Sequence, residues 1–339
     1  MRSCRVNIPP CPTLTTEPKN RWRTNPRPTS EPTAERAWPG FVDRLGTTVG
    51  AERLEIAISD GAVDLWLDRR FPFEPKGDLL TFRTQVREAI RSLRRPPGSV
   101  LCATYSSVDE SVCDVENVLI YNIGPSVFAD SSRRGLRLVR SWTAPSASPL
   151  GRRYRHHHRY CFTDPPRRPT APGATEFSFA LTSLSTSTKL HEVWWRATAA
   201  SRSAVIPITG RFSLHVELGA SDRVHNVANI VKPLLDGIVC AMHAERQIDV
   251  EAVERLARAT AWDTVEIRKR LSAPPNPILG SRRLLNVYRD FVKWDPADDR
   301  CDDCTVLLTE ASKLTCRVVV VPSAAMKSAR EVRIGLPAS

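Results

Sequence analysis

Apolar positions along this chain switch repeatedly between alternation and helical spacing. Residues 54–59 (LEIAIS) and 100–106 read as strands, while residues 80–95 set Phe82, Val86, Ile90 and Leu93 at helical intervals. DVENVLIYNIG from Asp114 reads as a helix or buried turn. GLRLVRSW and YRHHHRYCF read as strands, with a Pro-rich break between Pro145 and Pro172. The order then starts again. FSFALTS from Phe177 is a strand, EVWWRATAAS from Glu192 a helix and RFSLHVELG from Arg211 a strand. The stretch from Asn226 is an amphipathic helix with Ile230, Leu234 and Val239 inward, and Pro233 implies a kink or a late start. Helices over 250–260, 263–271 and 284–294 follow, and TVLLTE and RVVVVP close the chain as a strand pair. Strand, helix, strand, polar turn, helix and strand pair occur twice, which predicts an α+β fold of two similar units in tandem. The expected organisation is a Pro-rich basic tail over 1–40, units over 41–172 and 173–325, a helical insertion at 246–294 in the second, and a tail from 326 to 339.

A length of 339 residues has room for two cores, and 41% hydrophobic with 25% charged residues is ordinary globular usage. No run approaches 18 apolar residues and none opens the chain, so a soluble cytoplasmic protein with no membrane partner is expected. Nine cysteines, an odd number, fit reduced thiols. Charge changes the picture more. The net charge is +12, and ten arginines against one acid, Asp164, concentrate most of it between residues 131 and 172. Guanidinium groups bind phosphates through paired bonds and release counterions, so Arg152, Arg153, Arg155 and Arg159 are candidate nucleic-acid contacts. A solvated loop is the alternative.

The candidate chemistry lies after RFSLHVELG. Asn226, Ala228, Asn229, Lys232 and Asp236 occur in NVANIVKPLLDG, and further on Asp302-Asp303 leads to Val306 and Lys313. These two segments resemble the signature of the RusA-like Holliday-junction resolvases. There an Asp-x-Asp-Asn motif opens a helix, Lys follows three residues after the Asn, and an Asp-Asp pair begins a later strand. The resemblance covers about residues 176–323. It implies a magnesium-dependent endodeoxyribonuclease acting on branched or duplex DNA, as a homodimer or its equivalent within one chain. It assigns Asp303, Lys232, Asn226 and Asn229 to the catalytic set and Asp303 to the metal, and it places Asp303 beside Lys232. Carboxylates converging on magnesium, with a lysine for the phosphate, are what phosphodiester hydrolysis requires.

Asn226 and Ala228 stand where the family carries aspartates, which implies a degenerate site with DNA binding retained. Asp222 is a substitute ligand if the turn differs. The first half has an acid-x-acid-Asn run at the matching place, Asp114-Val-Glu116-Asn117, which makes Asp114 and Glu116 metal candidates, with a capped turn as the alternative. A protein that holds nucleic acid or an assembly without cutting is the rival function.

Other features have plainer readings. Cys301-x-x-Cys304 with Cys316 lacks a fourth zinc ligand, which leaves strand-end thiols. His156, His157 and His158 alternate across a strand and extend the arginine surface. The five acids from Asp295 to Asp303 read as a solvated turn, with cation binding as the alternative and Asp303 alone singled out by a motif, and of Trp194 and Trp195 one belongs to the core.

Overall fold

Alternation in many of the strands shapes the architecture: the face that carries most of the apolar residues demands cover, while the other carries more of the polar groups. The computed structural model describes residues 43–49, 52–59, 61–109, 114–201, 204, 206–220, 226–273 and 275–323. The tails expected over 1–40 and 326–339, and Asp222, lie outside the described residues.

In chain order, β1 (Asp43–Val49), β2 (Glu52–Ser59) and β3 (Ala62–Leu67) lead to α1 (Asp78–Ser92) and β4 (Val100–Ser106). A π-helical turn (Asn117–Tyr121) and a 3-10 turn (Pro125–Phe128) precede β5 (Gly135–Ser141) and β6 (His156–Thr163). Then come β7 (Thr175–Ala180), α2 (Leu190–Thr198), β8 (Phe212–Ala220) and α3 (Val227–Ala241). After β9 (Ala244–Glu245), α4 (Val250–Thr260) and α5 (Thr264–Leu271), the short strands β10 (Ser281–Arg282), β11 (Leu285–Tyr288) and β12 (Phe291–Trp294) follow. A 3-10 turn (Asp298–Arg300), β13 (Cys301–Glu310) and β14 (Thr315–Pro322) complete the set. The α+β class read from the sequence holds.

Ten strands form one mixed sheet in the order β1-β2-β3-β6-β4-β5-β13-β8-β14-β7. Read inward from β3, the neighbours pair antiparallel, antiparallel and parallel through β6, β4 and β5. Read inward from β7, they pair in the same senses through β14, β8 and β13. The two sets meet where β5 runs antiparallel to β13, and Leu138 and Cys304, each the fourth residue of its strand, are partners there. The segments 41–172 and 173–325, expected as separate units, therefore share one sheet inside one compact body.

α1, α2, α3 and the two turns before β5 cover one face. Their apolar residues merge with Leu65, Leu101, Leu138, Leu214, Val216, Val306 and Val318 in a single core. α3 approaches α2 closely at Gly237, where an added Cβ would lie 2.5 Å from Val193 Cβ and 2.8 Å from the Leu190 carbonyl oxygen. Only a residue without a side chain permits that spacing.

Two readings of the sequence are corrected. TVLLTE and RVVVVP do not form a hairpin, because β8 lies between β13 and β14 and pairs with both. The connection crosses the end of β8 at Gly219, where a Cβ would meet Thr315 Oγ1 at 2.6 Å and Ala311 Cβ at 3.0 Å. Residues 284–294 are the hairpin of β11 and β12 rather than a helix, so the insertion over 246–294 is only partly helical. Arg289 takes φ 50° in its turn, a conformation no helix interior contains.

Candidate metal centre

α3 begins where Asn226 caps it, its side-chain oxygen accepting from the Asn229 amide at 3.3 Å. Along the helix Ile230, Val231, Leu234 and Ile238 are buried, while Lys232 and Asp236, one turn apart, share a stripe facing the π turn of the first half. Pro233 lies inside the helix and has no amide to offer the Asn229 carbonyl. The Tyr121 hydroxyl, from the π turn, donates to that oxygen at 3.5 Å. The break in the helix thus becomes a tie between the two halves of the sheet.

Asp114 and Glu116 lead into that π turn beyond the C-terminal end of β4, and Asn117 Nδ2 donates to Asp114 Oδ2 at 2.5 Å. Asp298 stands in the 3-10 turn just before β13. β13 runs antiparallel to β5, and β5 parallel to β4, so the start of β13 and the end of β4 lie at the same end of the sheet. Four acids consequently surround one amine. Lys232 Nζ is 2.8 Å from Glu116 Oε1, 3.4 Å from Asp236 Oδ2, 3.5 Å from Asp114 Oδ2 and 3.6 Å from Asp298 Oδ2. Glu116 retains 2% of its side-chain exposure, whereas Lys232 retains 29%, so the group opens to solvent on the lysine and Asp114 side.

The electrostatics follow from the count. One ammonium cannot balance four carboxylates, and a surplus of like charge out of water is costly. Burial, then Glu116, Asp236 and Asp114, push the Asp298 carboxyl up to about 10 against the pull of Lys232. Burial raises Asp236 to about 7, with Lys232 opposing and Glu116 and Asp114 adding to the rise. Burial alone would lower the Lys232 ammonium, but Glu116, Asp236 and Asp298 outweigh it and hold the amine above its ordinary value. Asp298 Oδ2 is buried and has no hydrogen-bond partner among the described residues, since Lys232 stops beyond bonding range. One oxygen each from Asp114, Glu116 and Asp298 lies within 4.8 Å of the other two. Hard carboxylate oxygens in that number, one of them orphaned, fit magnesium or manganese.

Of the residues singled out in the sequence, Lys232, Asp114 and Glu116 come together here. Asp303 does not join them. In β13 it alternates with Cys304 and Val306, which face the core, and so projects from the face of the sheet opposite α3. There Arg137 holds it through two bonds, Nε to Oδ1 at 3.0 Å and Nη2 to Oδ2 at 2.5 Å. Asn226 is occupied as the α3 cap and accepts from Ser132 Oγ at 3.2 Å, and the Asn229 amide completes the cap. Neither asparagine belongs to the acid group.

Asp236 and Asp298 are the residues the sequence reading did not select. Asp236 carried a signal, an acid on the apolar face of an amphipathic helix. Asp298 shared its signal with its neighbours, as one of five aspartates within nine residues that read as a solvated turn or a cation site without any one but Asp303 being singled out. Those acids are a solvated turn only in part: Asp295 is half exposed and pairs with Arg282 at 2.9 Å, whereas Asp298 is buried and Asp302 accepts from Trp142 Nε1 at 2.8 Å.

Arg152, Arg153 and Arg155 are exposed on the chain entering β6, whose first residues lie beside the end of β4. They share that end of the sheet with the acids. Arg159 points to the opposite face and pairs with Asp64 at 2.8 Å. The three histidines do not extend an arginine surface. His156 bonds the Tyr105 hydroxyl at 2.7 Å, His158 is buried, and His157 meets Asp64 at 2.8 Å. Cys301, Cys304 and Cys316 are buried free thiols. Trp194 is core, and Trp195 stacks on Trp262 at 4.1 Å. No described helix is long and apolar enough to cross a membrane. Compared with family models, curated proteins and solved structures, the chain matches none.

Proposed function

We propose that this chain is a magnesium-dependent endodeoxyribonuclease whose working residues are Asp114, Glu116, Asp298, Asp236 and Lys232. The observation that carries the reading is the buried, unpartnered Asp298 oxygen among three further carboxylates that share a single amine. Such a surplus is stabilised by a second cation. The resemblance to RusA-like resolvases supplies residue types alone: Asp303, which it sets beside Lys232, lies on the opposite face of the sheet, and the acid pair comes from the first half of the chain while the lysine comes from the second.

Asp114, Glu116 and Asp298 would hold the ion, which supplies charge to a phosphoryl group in displacement and acidifies water. The remaining roles belong to the protein. Glu116 is fixed by its 2.8 Å bond to Lys232 and by burial, so it presents an oriented ligand. Lys232 remains protonated and acts as charge toward a phosphate oxygen rather than as a base. Asp236, the carboxylate left over from the three ion ligands and one whose proton affinity burial raises, is suited to take the proton of an attacking water at its carboxylate oxygen. Arg152, Arg153 and Arg155 supply backbone contacts at the same end of the sheet.

Incubation of the intact protein with branched and linear duplex DNA, with and without magnesium, tests the proposal. Magnesium-dependent nicking that disappears in Glu116→Gln supports it. A specific observation favours the rival: Lys232 already stands among the acids as an internal cation. Salt-sensitive DNA binding with no cleavage at any magnesium or manganese concentration would establish that binding-only reading instead.

A further inference from the structure

The strand order reads the same from β3 and from β7 toward the Leu138 and Cys304 pair, so β3, β6, β4 and β5 have β7, β14, β8 and β13 as their counterparts. Asp114-Val115-Glu116-Asn117, between β4 and β5, corresponds to Asn226-Val227-Ala228-Asn229, between β8 and β13. Both valines are buried. Asp298, three residues before β13, corresponds to Ser132, three residues before β5. The contacts agree with that alignment. Asp298 lies with Asp114 and Glu116, and Ser132 Oγ donates to Asn226 Oδ1 at 3.2 Å and accepts from the Ala228 amide at 3.3 Å. Counting onward from each asparagine, Lys232 and Asp236 correspond to Ile120 and Gly124.

We propose that the chain is an internally paired dimer with one working centre and one spent one, the spent centre being Asn226, Ala228, Ser132, Ile120 and Gly124. All five ionisable groups of the working centre have neutral counterparts. Ile120, Ala228 and Ser132 are fully buried, so the spent position has closed into core and cap rather than remaining an open acid pocket. The proposal rests on the nuclease reading for its consequence, that each bound molecule cuts one strand. Its structural content, a single metal centre per chain, does not depend on cleavage. A two-fold symmetric junction would present two equivalent phosphates, and only one would meet the acids.

Manganese titration of the intact chain, followed by calorimetry and by the electron spin resonance of the free ion, provides the readout besides activity. In Glu116→Gln all tight binding should fall together by at least about tenfold. Retention of half the wild-type stoichiometry at unchanged affinity would reveal a second centre and overturn the proposal. Substituting Ser132→Asp, Asn226→Asp, Ala228→Glu and Ile120→Lys together restores four of the five ionisable groups, the three ion ligands among them, and should double the bound manganese if its thermal unfolding remains cooperative. Should that variant not fold, Glu116→Gln alone still decides. A supercoiled plasmid with an extruded cruciform supplies the second arm. Wild type should yield nicked circles, whereas linear product formed within one binding event would also overturn the proposal. Manganese binding lost in Glu116→Gln together with no cleavage of any DNA sinks the nuclease reading but leaves the single centre standing. No manganese binding at all removes both.

Discussion

Asp298 and Asp303 stand five positions apart at the start of β13, and the balance of charge around them differs completely. Asp303 meets one guanidinium through two bonds at 3.0 and 2.5 Å, and the two charges cancel. That pair needs nothing further, and its forked geometry is what a structural tie across β5 and β13 requires. Asp298 shares one amine with three other acids, and its Oδ2 has no hydrogen-bond partner among the described residues. A satisfied ion pair and an unsatisfied cluster can hold the same residue type. What separates a candidate site from scaffold is the shortage of partners.

The comparison breaks first on activity. Glu116→Gln should reduce magnesium-dependent cleavage by on the order of 10^2 to 10^3, while Asp303→Asn should change it by less than about threefold once stability is matched, taking one tenfold step as roughly 1.4 kcal/mol. Rates measured on a nicked-circle assay decide, and the reverse pattern would restore Asp303 to the centre.

Next comes the lysine. Among the described residues Lys232 is the cation paired with these acids, so Lys232→Met should lower stability by about 3 to 5 kcal/mol without metal. Magnesium should then recover more stability in the variant than in wild type. Equal recovery in urea unfolding would show that Lys232 and the ion do not share the acids.

Smaller still is the pair on the other face. Arg137→Met should cost about 2 kcal/mol and Asp303→Leu a similar amount, whereas both together should cost less than their sum, since neither then leaves an unpaired charge. Additive costs would deny that the pair is self-contained.

The smallest effect is in pH. The raised folded values of Asp298, about 10, and Asp236, about 7, mean the folded protein holds protons that the unfolded chain releases. Their stabilising contribution is therefore present at low pH and lost as pH rises through those values. His156 and His243, lowered by burial to about 4, act oppositely: their contribution is lost as pH falls below 6.5 toward 4. The melting temperature without metal should decline by a few degrees between pH 7 and 9, and saturating magnesium, by displacing the protons, should flatten the decline. A decline unchanged by magnesium would place the ion elsewhere.

Much of the fold was legible because alternation and helical spacing are local. β2, β4, β5, β6, β7, β8, α1, α3, α4 and α5 all lie where the pattern puts them. The pairing of β13 and β14 was not, since adjacency in sequence favours a hairpin and only the whole sheet reveals that β8 intervenes. The site divided in the same way. Lys232, Asp114 and Glu116 carry motif spacing, but their meeting depends on β5 joining β13, a contact between distant segments. Asp303 was misplaced because a motif gives residue types and intervals, while the face a strand residue takes is set by register.

The central joint also sets a timetable for synthesis. β13 begins about 160 residues after β5 ends, so at roughly 5 to 20 residues per second the outer edge of β5 waits on the order of 8 to 30 s for its partner. An unpaired strand edge invites pairing with another nascent copy. β5 carries Arg137 and Arg140 within seven residues, and like charges on such an edge repel a second chain of the same sequence. Arg137 carries its charge on β5 from the moment that strand is made, long before Asp303 is there to balance it.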